Sequence, residues 1–250
     1  MIVTLTPNPS IDRTVSVPVL EHGEVNRASG SRVDPGGKGI NVARALATNG
    51  TEALALLPSG GPEGHLLQAL LRRAGTAYAA VAIEGTTRMN IAIIEPDGTT
   101  TKLNEPGPTL SNDEFDALLA AVDEHLSQDL RWIVGCGSLT PGMPTTIYAD
   151  LVRRGHAHGI KVAIDSSGAP FTAAIPASPD LIKPNHEELE ELVGRRLHSL
   201  ADVSDAARTL VDGGVETVIV SLGRHGALLV NADAVAHASA HVTRPVSTVG

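Results

Sequence analysis

From about residue 111 onward the chain alternates helical and strand-like apolar patterns, and this restricts the fold more than any other feature of the sequence. Residues 111–126 carry an amphipathic helical period, with Ser111 placed as N-cap and Glu114 completing a capping box. Strand patterns follow at 131–134, 161–164, 180–182, 217–220 and 227–230, and helical ones at 145–154, 186–193 and 202–211. Short strands separated by helices predict a mostly parallel sheet covered on both faces. Earlier in the chain, strands at 2–6 and 53–57 and helices at 39–48 and 64–73 continue the same layers. The fold class is α/β.

Other segments have β character without intervening helices, at 14–17, 24–33, 78–83, 89–95 and 99–103. Pro96-Asp97-Gly98 is a turn that joins the last two as a hairpin. These segments predict a small β-sheet lid beside the site, drawn from about 14–33 and 78–103. A chain of 250 residues buries roughly three quarters of its unfolded surface, enough for one domain with such an appendage. Residues 1–250 therefore read as one α/β domain.

The formal charge is −9, without a lysine or arginine run, which argues against nucleic acid or an anionic membrane as partner. No apolar run approaches the length of a bilayer span, and the chain opens on a strand rather than a signal peptide. Cys136 stands alone, which suits a reducing compartment, and its setting reads as a buried strand end. The reading is a cytoplasmic protein.

Asp34-Pro35-Gly36-Gly37-Lys38-Gly39-Ile40-Asn41 is a glycine-rich turn that opens a helix. Unpaired N–H groups and the positive dipole end suit an anion there. Lys38 adds a cation, and Asn41 shares its helical face. A plain turn before a helix is the competing reading. It is not a Walker loop, because Gly39 follows the lysine where Ser or Thr belongs, and no GxGxxG follows the first strand. Asp12, after the first strand, suits sugar hydroxyls or a turn. Arg88 and Asn90 share one face of a strand by the two-residue period, and guanidinium beside amide suits phosphate plus hydroxyl. Glu105, in a polar turn, and Ser138, after a buried strand, are further candidates.

Asp165-Ser166-Ser167-Gly168 follows a strand and competes with a helix cap. Lys183-Pro184-Asn185-His186-Glu187-Glu188 ends a strand and starts a helix. Asn185 and Glu188 lie one turn apart, placed to order a hydrated Mg²⁺, to form a capping box, or both. Ser221-Leu222-Gly223-Arg224-His225-Gly226 is a second glycine turn, suited to nucleotide phosphates. The ten histidines offer no zinc spacing, and no serine sits in a nucleophile elbow.

The order of these motifs resembles the PfkB group of ribokinase-like carbohydrate kinases over the whole chain. The resemblance rests on Thr6-Pro-Asn-Pro-Ser-Ile-Asp12, Gly36-Gly-Lys-Gly-Ile-Asn-Val-Ala-Arg44, Gly137-Ser-Leu-x-Pro-Gly142, Lys183-Pro-Asn-x-x-Glu188 and Ser221-Leu-Gly-x-x-Gly-Ala227. It implies a three-layer α/β/α fold with a small β-sheet lid, and a homodimer clasped through that lid. Lys38 and Asn104-Glu-Pro-Gly-Pro108 point to the members that convert fructose 1-phosphate and ATP to fructose 1,6-bisphosphate with Mg²⁺. Members acting on tagatose 6-phosphate or fructose 6-phosphate remain rivals.

Asp12, Gly36, Gly37, Lys38, Asn41 and Arg88 would hold the sugar phosphate, with Asn90, Glu105 and Ser138 beside them. Lys183, Asn185, Ser221, Gly223 and Gly226 would bind ATP, and Asn185 and Glu188 the metal through water. The apolar run 245–250 stops on a glycine, where the family pattern continues into Ala-Gly-Asp with the general base and the anion hole. The expectation is a fragment, inactive by itself; a non-catalytic sugar-phosphate sensor is the alternative if the chain truly ends at Gly250. A Rossmann dehydrogenase is disfavoured by the missing fingerprint.

Overall fold

The computed structural model describes residues 1–127 and 129–239, so the strand-like run at 245–250 lies outside the described residues. The fold is mixed α/β, with a large, mostly parallel sheet and a small second sheet. The chain forms two compact units. One comprises Thr4–Val122 and Leu139–Met143; the other comprises Met1–Val3, Asp123–Ser138 and the chain from Pro144 onward.

The first unit takes in the second half of β1 (Ile2–Leu5), then β2 (Ser10–Ser16), β3 (Gly30–Gly36), α1 (Lys38–Thr48), β4 (Ala53–Ser59) and α2 (Gly61–Arg73). β5 (Tyr78–Ala82), β6 (Arg88–Ile94), β7 (Thr100–Asn104) and α3 (Asn112–Glu124) follow. β4 is an almost unbroken apolar run buried along its length, as expected of a strand covered on both faces. α2 buries Gly64, Leu67 and Leu71, a stripe at helical spacing. With Ile11, Ile40, Ala43 and Leu57 this stripe makes an aliphatic core.

The small sheet has the order β3-β2-β6-β7. β2 runs antiparallel to β3 and parallel to β6, which sets Ser10 opposite both Gly36 and Arg88, and Asp12 opposite Asn90. Residues two apart on a strand share a face, so Ser10, Asp12, Arg88 and Asn90 form one polar patch. β7 closes the sheet through the hairpin foreseen at 96–98, where Asp97 accepts the Thr99 amide at 2.9 Å.

Two sequence-based placements need correction. The stretch 78–83 does not contribute to the small sheet, because β5 pairs in parallel with β4. Asp12 lies within strand β2 rather than in a turn, since long-range pairing extends that strand back to Ser10. Pro35 is tolerated in β3 because β3 is an edge strand.

The second unit contains β8 (Trp132–Cys136), α4 (Ile147–Ala157), β9 (Lys161–Asp165), α5 (Gly168–Ala174), β10 (Leu181–Ile182), α6 (His186–Val193) and α7 (Leu200–Asp212), then β11 (Thr217–Ser221), β12 (Ala227–Asn231) and β13 (Val235–Ala238). β8 to β11 are parallel neighbours in chain order, and β12 and β13 add antiparallel strands. α4 seats against β8 because Gly135 has no side chain: a Cβ there would stand 2.7 Å from the Tyr148 ring. The buried hydroxyls of Tyr148 and Ser166 both donate to the Gly137 carbonyl, at 2.8 and 2.9 Å. Burial pushes the Tyr148 phenol well above its ordinary value, so it remains a donor. α5 and β13 are absent from the sequence reading. The first is a seven-residue helix without a clear apolar period, and the second is exposed throughout.

Candidate functional site

In the first unit, the polar face of β2 and β6 meets the start of α1. The Ser10 hydroxyl donates to Asp12 Oδ1 at 2.7 Å, and Asn90 Nδ2 donates to the same oxygen at 3.1 Å and to Ser10 Oγ at 3.1 Å. Asp12 occupies the space that a side chain at Gly36 would need, since an ideal Cβ there lies 2.3 Å from Asp12 Cγ. Gly39 in the same way admits Thr6, whose hydroxyl oxygen lies 2.4 Å from the ideal Cβ. The glycine segment therefore makes room for the protein's own polar side chains.

Gly37 has φ +118°, a conformation that favours glycine, and it caps α1. Neither a side-chain cap nor an acidic residue occupies the first turn of α1. Its leading amides suit an anion, with Lys38 as first residue and Asn41 one turn on.

Arg88 is held as a fork: Nη1 donates to the Glu105 carbonyl at 2.9 Å and Nη2 to the Asn8 carbonyl at 3.1 Å. Burial draws its guanidinium below the ordinary value, while the charges of Asp12 and Glu105 push the other way. An arginine stays protonated under such opposed influences. Two buried atoms in this patch, Arg88 Nε and Asn90 Oδ1, have no hydrogen-bond partner. Buried polar atoms are nearly always paired, so one donor and one acceptor on neighbouring residues point to a polar ligand.

Asp12, Gly36, Arg88 and Asn90 thus come together. The Glu105 carboxylate is engaged in accepting the Met89 amide at 2.8 Å, so it braces the start of β6. Ser138 is exposed in the second unit, at the turn after β8. Ser10 and Asn8 escaped the sequence reading. Asn8 Nδ2 ties down two loops, through Pro106 O at 2.9 Å and Leu139 O at 3.1 Å. The two-residue spacing of Ser10 and Asp12, matching that of Arg88 and Asn90, is the signal that would have found Ser10.

In the second unit, Asn185, Ser221, Gly223 and Gly226 line one cavity of about 670 Å³. The Ser221 amide bonds the Pro184 carbonyl at 3.0 Å, which sets Ser221 beside Asn185. Leu197, Leu200, Val203 and Leu222 supply an apolar wall fit for a planar base. Gly223, at φ +56°, has open space where a side chain would go. Lys183 is not part of this lining, and its Nζ lies 3.2 Å from Asp165 Oδ2.

Asn185 and Glu188 form a reciprocal capping box at the start of α6. Asn185 Oδ1 accepts the Glu188 amide and Glu188 Oε2 accepts the Asn185 amide, each at 2.8 Å. One carboxylate oxygen of Glu188 remains outside the box. A single oxygen suits a Mg²⁺ that keeps most of its water and takes its remaining ligands from phosphates.

The sequence profile described as pfkB family carbohydrate kinase matches residues 6–250. The chain is 38% identical to a 1-phosphofructokinase of Rhodobacter capsulatus over 250 residues, all of this chain and 79% of that protein. It is 36% identical over 252 residues to the ATP-dependent 6-phosphofructokinase isozyme 2 of Escherichia coli, covering 81% of that protein. The crystal structure of phosphofructokinase-2 from Escherichia coli in complex with substrates and products superposes with a TM-score of 0.95, at 36% identity over the whole chain and 81% of that structure.

Proposed function

The chain belongs to the pfkB family of carbohydrate kinases, and on that footing we propose that it transfers the γ-phosphoryl group of ATP to fructose 1-phosphate. The observation that carries the substrate side is the buried pair left unpartnered, Arg88 Nε and Asn90 Oδ1, beside the Asp12 carboxylate. Asp12 and Asn90 accept sugar hydroxyls. Arg88, Lys38, Asn41 and the Gly36–Gly37 entry to α1 hold the phosphate, with Glu105 a further contact on the hydroxyl side of the sugar. A phosphorylated ketose offers both kinds of group, and an acidic protein needs such local cations to hold it.

Asn185, Ser221, Gly223 and Gly226 cradle the nucleotide, with Lys183 near its phosphates. Asn185 and Glu188 hold Mg²⁺ through water, and when bound the ion neutralises charge on the phosphates. Phosphoryl transfer depends mainly on positioning, so these residues bind and orient. The family's lid suggests a homodimer through the small sheet, where Leu103 is exposed, and sedimentation would test it. No helix among the described residues is long and apolar enough to cross a membrane, in keeping with a cytoplasmic enzyme.

Fructose 1-phosphate is favoured because several relatives at 33–38% identity are named 1-phosphofructokinase. The isozyme-2 relative favours fructose 6-phosphate as the second reading, and tagatose 6-phosphate is the third. Calorimetry with all three sugars is the test. The tightest binding is expected with fructose 1-phosphate; equal affinity for fructose 6-phosphate would overturn the choice.

Glu188→Gln separates metal from cap. Glutamine also completes a capping box, so the melting temperature should stay within about 2 °C. MgATP affinity should fall by about tenfold, roughly one charge-assisted contact, with metal-free ATP unaffected. An unchanged MgATP affinity would remove Glu188 from the metal site.

A further inference from the structure

Ser10 is 1% exposed, so any ligand meets it only through its neighbours. Its hydroxyl sits between two groups of fixed chemistry. A carboxylate only accepts, so the Ser10 proton must go to Asp12 Oδ1, 2.7 Å away. The lone pairs of Ser10 Oγ then take the Asn90 amide N–H at 3.1 Å, and Asn90 Nδ2 also faces Asp12 Oδ1 at 3.1 Å. Turning the Asn90 amide over would set its carbonyl against the carboxylate and leave Ser10 without a donor. Chemistry thus sets one direction of donation, from Asn90 through Ser10 to Asp12, and Asn90 Oδ1 is left buried without a partner.

The consequence is a patch with a defined sense. Asn90 Oδ1 and Asp12 Oδ2 are acceptors, and Arg88 Nε, two residues along the same strand face, is a donor. Acceptors receive hydroxyl protons and repel phosphate oxygens; the guanidinium does the reverse.

We propose that Ser10 is a positioning residue that locks the Asp12–Asn90 pair in this polarity, and so holds the direction in which a phosphorylated polyol lies across β2 and β6. This rests on the sugar-phosphate reading above. Without the hydroxyl, Asp12 and Asn90 each lose a partner, and only the direct Asn90–Asp12 bond at 3.1 Å holds the amide in place. Discrimination of hydroxyls from phosphate oxygens then falls, while the phosphate cradle stays intact.

The test is calorimetry on the full chain with three probes: fructose 1-phosphate, inorganic phosphate and MgATP. Ser10→Ala should weaken fructose 1-phosphate by about tenfold, the value of about one hydrogen bond. Inorganic phosphate, which does not use the acceptors, and MgATP should each stay within about twofold. In an Asp12→Ala background the same substitution should cost less than about twofold, because coupled residues are not additive. Ser10→Cys preserves volume with a feeble donor, and it decides the ratio if Ser10→Ala does not fold. Equal losses for sugar and inorganic phosphate, or equal costs in both backgrounds, would overturn the role of Ser10. Wild-type protein that binds no ketohexose phosphate would instead overturn the substrate reading.

Discussion

Arg88→Ala should weaken fructose 1-phosphate binding by about 10²- to 10³-fold and leave MgATP binding within about twofold. The guanidinium donates to the carbonyls of Asn8 and Glu105 and still has Nε to offer. A hydrogen bond to a charged group contributes about 1.5–3 kcal/mol, so the lost Nε contact costs up to about 10²-fold and the lost cation adds to it. Truncation also leaves two carbonyls without their donor and removes the cation that faces Asp12 and Glu105. An anionic ligand then meets net negative charge. Arg88→Lys restores the charge but not the planar fork, so it should recover only part of the loss. Titration of the purified variants gives the answer. Retention of wild-type affinity by Arg88→Ala would place the phosphate elsewhere.

Gly36→Ala should abolish sugar-phosphate binding, with a loss of about 100-fold or more, and lower stability by about 1–3 kcal/mol as an overpacked site does. The backbone dihedrals of Gly36 are not the obstacle. The added methyl would stand 2.3 Å from Asp12 Cγ and 2.4 Å from each carboxylate oxygen. Either Asp12 swings away from Ser10 and Asn90, or β2 and β3 separate at the Ser10–Gly36 pair. Both outcomes dismantle the acceptor pair. The cost should be smaller when Asp12→Ala has already vacated the space, a non-additivity that thermal melts of the four proteins would reveal. An unperturbed melt and intact binding in Gly36→Ala would sink this account.

Local chemistry accounts for what the sequence made legible. The capping box at Ser111 and Glu114 forms as its spacing predicts, with the Ser111 amide donating to Glu114 Oε2 at 2.7 Å. Both readings of Asn185 and Glu188, cap and metal site, survive because the box uses one carboxylate oxygen and spares the other. The alternation after residue 111 yields the parallel strands β8 to β11. α5 and β13 were invisible because α5 spans only seven residues with two buried side chains and β13 is exposed throughout.

The sequence by itself determined the α/β class, the capped helix starts at Ser111 and Asn185, the hairpin at Pro96-Asp97-Gly98 and the residue types available to grip a phosphate, since caps, turns and apolar periods act within a few residues. Only the tertiary structure decided that β2 runs back to Ser10, that β5 joins β4, and that Asp12 fills the space beside Gly36. It also brought Asp12 to Asn90, 78 residues away in the chain. Strand register between distant segments is settled by pairing and packing over the whole core, and no local pattern encodes which residues will then stand face to face.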